Sequence, residues 1–286
     1  MKGKLREFVV RNPIFRKILQ AKVAFSFSLR PVFSTFKWLT KSKETTNFTY
    51  EIKKWNIDYL ASLISNITNV SISKIFEYVK EIENDKELRN HIASMSKSKN
   101  SEPDSDNRFL PGRRIGWYVF VRTVKPKVIV ETGIDKGLGS CILAAALKKN
   151  KEEGYYGFYY GTDINPKAGF LFSGEYKKYG EILVGDSIQS LKNFGKKIDL
   201  FVNDSDHNPI YERKEYLAIK DNLSKNAIIL SDNSHCTEEL FKFSLKTNRH
   251  FIFFKEEPKN HWGAGAAIGI SFMRNINGKK HEKNKT

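Results

Sequence analysis

The stretch from Lys127 to Leu147 leaves the fewest folds open to this chain. Val128, Ile129 and Val130 form a short β-branched apolar run of the kind found in strands covered on both faces. Gly133, Gly137 and Gly139 follow, where no Cβ obstructs a tight turn or a close ligand. From Ser140 onward the residues favour helix, with Leu143, Ala144 and Leu147 at helical spacing. A strand, a Gly-rich turn and a helix N-terminus together make a site for the polar end of a nucleotide-like ligand. The stretch has no Gly-Lys-Ser/Thr ending, and its Gly-x-x-x-Gly-x-Gly spacing departs from the dinucleotide-binding pattern. Glu131 stands at the strand end, two residues before the first glycine. A carboxylate there repels a pyrophosphate and attracts an ammonium group.

Beyond Leu147 strands and helices alternate, which predicts an α/β fold with a mostly parallel, doubly wound sheet. The strands expected are Phe158–Asp163, Glu181–Gly185, Ile198–Asn203, Ala227–Ser231, His250–Lys255 and Ala266–Phe272. Helices are expected over Gly112–Val124, Ile210–Asn222 and Thr237–Lys246. In an open sheet of this kind the ligand sits outside the carboxyl ends of the strands. The second strand ends in Asp163, placed to accept both hydroxyls of a ribose, or to N-cap a helix ahead of Pro166. The third ends in Gly185-Asp186-Ser187, where Asp186 also suits a helix N-cap. The fourth ends in Asn203-Asp204-Ser205-Asp206-His207, and the fifth in Ser231-Asp232-Asn233-Ser234-His235.

The pattern Glu-x-Gly-x-x-x-Gly-x-Gly, with acids at three successive strand ends, resembles the class I methyltransferases, which bind S-adenosylmethionine. The resemblance covers about residues 110–273 and implies a Rossmann-like sheet of seven strands whose last strand is antiparallel. It also implies a cofactor site built from Glu131, Gly133, Gly137, Gly139, Asp163, Asp186, Ser187 and Asp204, with Asp186 beside the adenine. Asp204 with Asp232 and Asn233 is similar to the metal triad of the catechol-type O-methyltransferases. Two carboxylates and an amide oxygen suit Mg²⁺, Mn²⁺ or Ca²⁺, although Asp232 and Asn233 could equally cap the next helix. His207 falls where the catechol-type enzymes carry a basic lysine, and His235 competes with it as the general base. The Asp-x-Asp-His segment is similar to small-molecule and sugar O-methyltransferases, so a small molecule, a saccharide or a lipid-linked glycan is the expected acceptor. The segment His261–Gly265 is either part of the acceptor pocket or a plain Gly-rich turn.

The net charge of +17 raises the rival reading of an RNA methyltransferase, so its location matters. Residues 1–43 hold eleven Lys/Arg against Glu7, and residues 274–286 hold five against Glu282, leaving only +3 for the rest. Basicity at the ends weakens the case for nucleic acid, as does the absence of Asn/Asp-Pro-Pro-Tyr/Phe after the fourth strand. A non-catalytic, membrane-associated binding protein on the same fold is the rival from outside enzymology. The chain divides into a basic helical extension over 1–100, a cofactor-binding domain over 108–274 and a disordered basic tail over 275–286. Pro13 and Pro31 are expected to interrupt any long helix near the N-terminus. Residues 1–43 suit an anionic membrane surface, or an arm packed on the protein or on a second subunit. Residues 50–96 read as two or three helices, and Ser94–Asn107 as a polar linker. Cys141 and Cys236, both expected in helical segments, are too few for a disulfide framework, which favours a reducing cytoplasm, where residues 1–43 would give peripheral contact at the inner membrane surface.

Overall fold

A computed structural model of the chain describes residues 10–45, 49–98, 108–112, 114–232 and 234–273, together with positions 7, 103 and 105. The expected tail over 275–286 lies outside the described residues. Five strands run parallel: β1 (Val128–Thr132), β2 (Phe158–Asp163), β3 (Gly180–Val184), β4 (Ile198–Asn203) and β5 (Leu223–Ser231). β7 (Ala267–Phe272) is antiparallel to both β5 and β6 (His250–Lys255), giving the seven-stranded order β3-β2-β1-β4-β5-β7-β6. The doubly wound, mostly parallel sheet with an antiparallel last strand is the fold that the sequence predicts.

The two-residue period of the strands divides the core. Ile129, Leu200, Val202, Ile228 and Leu230 point to one face, while Val130, Phe201 and Ile229 point to the other. On the first face lie α5 (Arg114–Val124) and α6 (Leu138–Glu152), on the second α7 (Ser187–Lys192), α8 (Pro209–Ile219) and α9 (Glu239–Lys246). Trp117, Tyr118, Phe120 and Val121 of α5 are all fully buried, each contributing about 1.5–3 kcal/mol by leaving water.

Helices α2 (Lys54–Thr68), α3 (Ile72–Glu83) and α4 (Lys86–Met95) add a further layer that shares this core through Leu60, Ile64, Ile75, Ile82 and Leu88. A Cβ on Gly116 of α5 would lie 2.9 Å from Leu60 Cδ2, so a bare backbone lets α2 and α5 meet. Both described ends of the expected linker pack down, with Ser105 Oγ donating to Ser96 Oγ across 3.3 Å and Phe109 buried. Ile52 forms an isolated antiparallel bridge to Pro258, which draws the segment before α2 over the β6–β7 loop.

Two local expectations are corrected. One helix, α1 (Pro13–Lys41), runs straight through Pro31. Pro13 sits in its first turn behind an Asn12 N-cap, where a missing N–H costs nothing. Pro31 deprives one carbonyl of its helical donor on a helix open to solvent, where hydration offsets the loss. Cys236 lies in an exposed turn rather than a helix, because α9 does not begin until Glu239. Cys141 is buried in α6 as expected.

Arg122 of α5 joins the added helical layer to the helices that cover the sheet. Its side chain is 2% exposed and donates to Glu81 of α3 at 2.6 Å, and to Glu153 and Asn150 at the end of α6. Those bonds hold the Glu153 carboxyl down to about 2. Replacing Arg122 by Met is expected to destabilise the fold by about 2 kcal/mol, less than for a fully buried pair because Glu81 and Glu153 can turn to solvent. A denaturant midpoint within error of wild type would show that the layer does not depend on this group.

Candidate active site

Strand register aligns the sequence-predicted residues along one edge. Thr132 of β1 pairs with Thr162 and Asn203, and Asn203 with Ser231. The ladder then runs one residue further, with Asp204 N–H donating to the Thr132 carbonyl and Asp232 N–H to the Asn203 carbonyl, each at 2.9 Å. Asp204 and Asp232 therefore follow adjacent strand ends. Around them opens a cavity of about 450 Å³ whose lining includes Gly133, Asp204, His207, Asp232 and His235.

The Gly-rich turn forms the floor. Gly133 adopts φ 75°, and a Cβ there would lie 2.2 Å from the Asp204 carbonyl oxygen, so the turn presses directly against the end of β4. Gly137 caps α6 with φ 89°. On Gly139 a Cβ would strike the Glu131 carboxylate at 2.2 Å. Asp135, a non-glycine with φ 44°, is held by Asp163, whose Oδ2 accepts from Asp135 N–H at 3.0 Å. The other Asp163 oxygen accepts from Asn165 N–H at 2.8 Å, which closes a turn where the alternative expectation is a helix N-cap, and no helix starts there.

Glu131 is not among the residues that line this cavity. It is 1% exposed and accepts from Ser140 Oγ at 3.1 Å and from the Tyr159 hydroxyl. Burial pushes its carboxyl up to about 7, against the opposing pull of the Tyr159 bond. Asp186 caps α7 by accepting from Gln189 N–H at 2.8 Å, and its second oxygen accepts from the Tyr211 hydroxyl at 2.8 Å. Ser187 is buried and donates to Glu215. Asp163, Asp186 and Ser187 thus stand at the next strand ends, beyond the lining of the cavity.

His207 and His235 are both exposed at the cavity, their ring centroids 6.3 Å apart. Asp204 faces the guanidinium of Arg114 at 3.6 Å, both side chains being largely buried. The metal expectation meets this pair. Asn233 lies outside the described residues, and among those described no group of three His, Cys, Asp or Glu could hold a metal ion. The Arg114 guanidinium places one positive charge beside Asp204.

Sequence reasoning missed several lining residues. Glu44, Thr49, Tyr50 and Arg108 close the cavity from the N-terminal side. The Tyr50 hydroxyl donates to Glu256 and accepts from Ala266 N–H at 2.8 Å, pairings across some two hundred residues that leave no local trace. Of the suspected segment His261–Gly265, Gly265 reaches the cavity, whereas His261 lines a smaller neighbouring pocket and burial lowers its pKa. Of the basic pair that opens α5, Arg114 lines the cavity, and Arg113 lies outside the described residues.

Residues 130–234 match the family model described as a methyltransferase domain. Among solved structures, the chain is similar to an O-methyltransferase candidate from Klebsiella pneumoniae, at 13% identity and a TM-score of 0.52, covering 71% of this chain and 96% of that one. A Podospora anserina methyltransferase solved with S-adenosylhomocysteine shares 18% identity at a TM-score of 0.49, covering 71% and 95%. No curated protein matches. The strand order is that of the methyltransferase fold, and residues 130–234, which carry the Gly-rich turn, match a methyltransferase domain.

The burial of Glu131 carries a test. Its carboxyl titrates near 7 in the folded chain and near 4.5 when unfolded, so the folded state binds the extra proton between those values. Wild-type stability therefore contains a contribution that is lost as pH rises from 4.5 to 7. Glu131→Gln lacks that loss, and its stability relative to wild type should climb across the window in chemical denaturation. A flat difference would mean that Glu131 does not change its protonation there.

Proposed function

We propose that this protein transfers a methyl group from S-adenosylmethionine to a hydroxyl of a small-molecule, saccharide or lipid-linked glycan acceptor. The observation that carries the reading is the cavity itself, at the carboxyl edge of the sheet against the Gly-rich turn. Its described lining has four carboxylates (Glu44, Asp135, Asp204, Asp232) and three cations (Arg108, Arg114, Lys136). That balance suits a zwitterionic ligand with an ammonium and a carboxylate, and is poor for a polyanion such as RNA. At the neighbouring strand ends Ile164 and Val184 are exposed beside Asp163 and Asp186. Apolar side chains next to carboxylate acceptors suit an adenine ring and ribose hydroxyls.

Bound S-adenosylmethionine supplies an electrophilic methyl group on a sulfonium. The chain's part is to hold the acceptor oxygen in line and remove its proton. His207 and His235, both open to the cavity, are the two candidate bases, and neither requires a metal. Thr49 and Tyr50, from the N-terminal side, contribute to the same lining.

Titration calorimetry should show binding of S-adenosylhomocysteine that Asp163→Ala weakens by at least about tenfold, roughly 1.4 kcal/mol, with circular dichroism showing the variant still folded. EDTA should leave that binding intact. Absence of binding to the wild-type protein would overturn the cofactor assignment. With any hydroxyl acceptor that turns over, loss of His207 or of His235 should lower turnover by about a hundredfold or more, and the other should matter little.

A further inference from the structure

The first helix carries its apolar side outward. In α1, Ile14, Ile18, Phe25, Leu29, Val32 and Phe36 are spaced by four, seven, four, three and four residues, which places them along one face. Every one is exposed, Ile14 by 72% and Phe36 by 64%. From Pro13 to Phe33 the described side chains of α1 are all exposed, a projecting length of about 30 Å at helical rise. The helix meets the rest of the protein near its end and from its other side. Ser34, Thr35 and Trp38 are half-buried there, and the Trp38 ring lies edge-on to Trp262 at 5.5 Å. An amphipathic helix ordinarily turns its apolar stripe inward, and this one does the reverse.

Charge selects the occupant. From Arg16 to Lys41 the sequence holds six basic residues and no acidic one. Two copies packed stripe to stripe would bring these charges together, whereas an anionic surface would neutralise them. No helix among the described residues is long and apolar enough to cross a membrane. A helix with an apolar stripe and basic flanks, too polar to span, lies in the plane of the interface. We propose that α1 docks this protein on an anionic lipid surface, its Ile14–Phe36 stripe sunk among the acyl chains and its basic residues at the headgroups. The inference rests on α1 and not on the methyl-transfer reading.

The docked geometry brings the cavity to the surface. Lys37, Trp38 and Lys41 at the end of α1 line a pocket of about 170 Å³ with Thr49, Tyr50 and Arg108, which also line the main cavity. A helix anchored in the interface therefore holds the cavity next to whatever the lipid surface carries.

Co-sedimentation of the full chain with vesicles tests this, comparing phosphatidylcholine alone with phosphatidylcholine plus phosphatidylglycerol. The wild-type protein should bind the anionic vesicles, and added salt should weaken that binding. Phe25→Glu, on the stripe, should lower partitioning by at least about tenfold. Gln20→Glu adds the same charge on the opposite side of α1 and should lower it by less than about threefold. Equal losses from both variants would mean simple charge attraction and overturn the embedded stripe. Absent vesicle binding, with sedimentation showing self-association that Phe25→Glu abolishes, would make a second copy the occupant and overturn the proposal. Both variants should bind S-adenosylhomocysteine as wild type does, so a failure here is separable from a failure of the cofactor reading.

Discussion

Two buried glutamates on α8 hold the site's edge together. Glu212 and Glu215 are both fully buried, and between them they accept from side chains that follow three strands. Glu215 takes Ser187 after β3, Asn203 at the end of β4, and Ser205 at 2.7 Å beyond it. Glu212 takes Ser231 at the end of β5 at 3.2 Å, and Thr237 in the turn that follows. Burying a carboxylate is costly, and desolvation raises the Glu215 carboxyl despite its donors. The return is geometric. Parallel strands fix one another only along their length, and the loops beyond them need separate anchors. Asp186, Asp204 and Asp232 each lie within one residue of a group held by this pair, so their spacing follows from α8.

Most of the sheet was legible because its signals are local. Strands covered on both faces are largely apolar, so β2 and β4 have the boundaries that their apolar runs suggest, and the edge strand β6 keeps its expected bounds through its Phe-Ile-Phe-Phe run. β5 begins at Leu223, four residues before the expected Ala227, because Leu223–Asn226 is more polar and only half-buried or exposed. The Gly-rich turn was legible for a steric reason, since Gly133 and Gly139 each face an atom that a Cβ would strike. Asp186 was legible twice over, as a strand-end acid and as a helix cap.

What escaped the sequence depends on distant partners. Glu212 and Glu215 look like ordinary exposed helix acids until the ends of β3, β4 and β5 are placed around them. Tyr50 sits in a stretch without periodicity and gains its position only from the β6–β7 loop. Pro31 misled because the rule against proline in helices assumes a buried ladder, while α1 is open to solvent. The two carboxylates Asp204 and Asp232 suggested a cation by mutual repulsion. The sequence could not show that the Arg114 guanidinium of α5 lies beside Asp204.

That arginine also bears on the chain's charge. A protein of net +17 could have concentrated its cations where its ligand binds. Here Arg114 is spent on Asp204 at 3.6 Å, and the carboxylates around the cavity slightly outnumber the basic groups among the described residues. The surplus charge lies at the two ends of the sequence. On the proposed reading, long-range attraction and local recognition fall to different parts of the molecule. Screening makes that division useful: attraction between exposed charges fades over about 8 Å at physiological salt, while pairs inside a half-buried cavity are screened far less. A surface that draws in the whole protein can then be weakened by salt without altering the selectivity of the cavity.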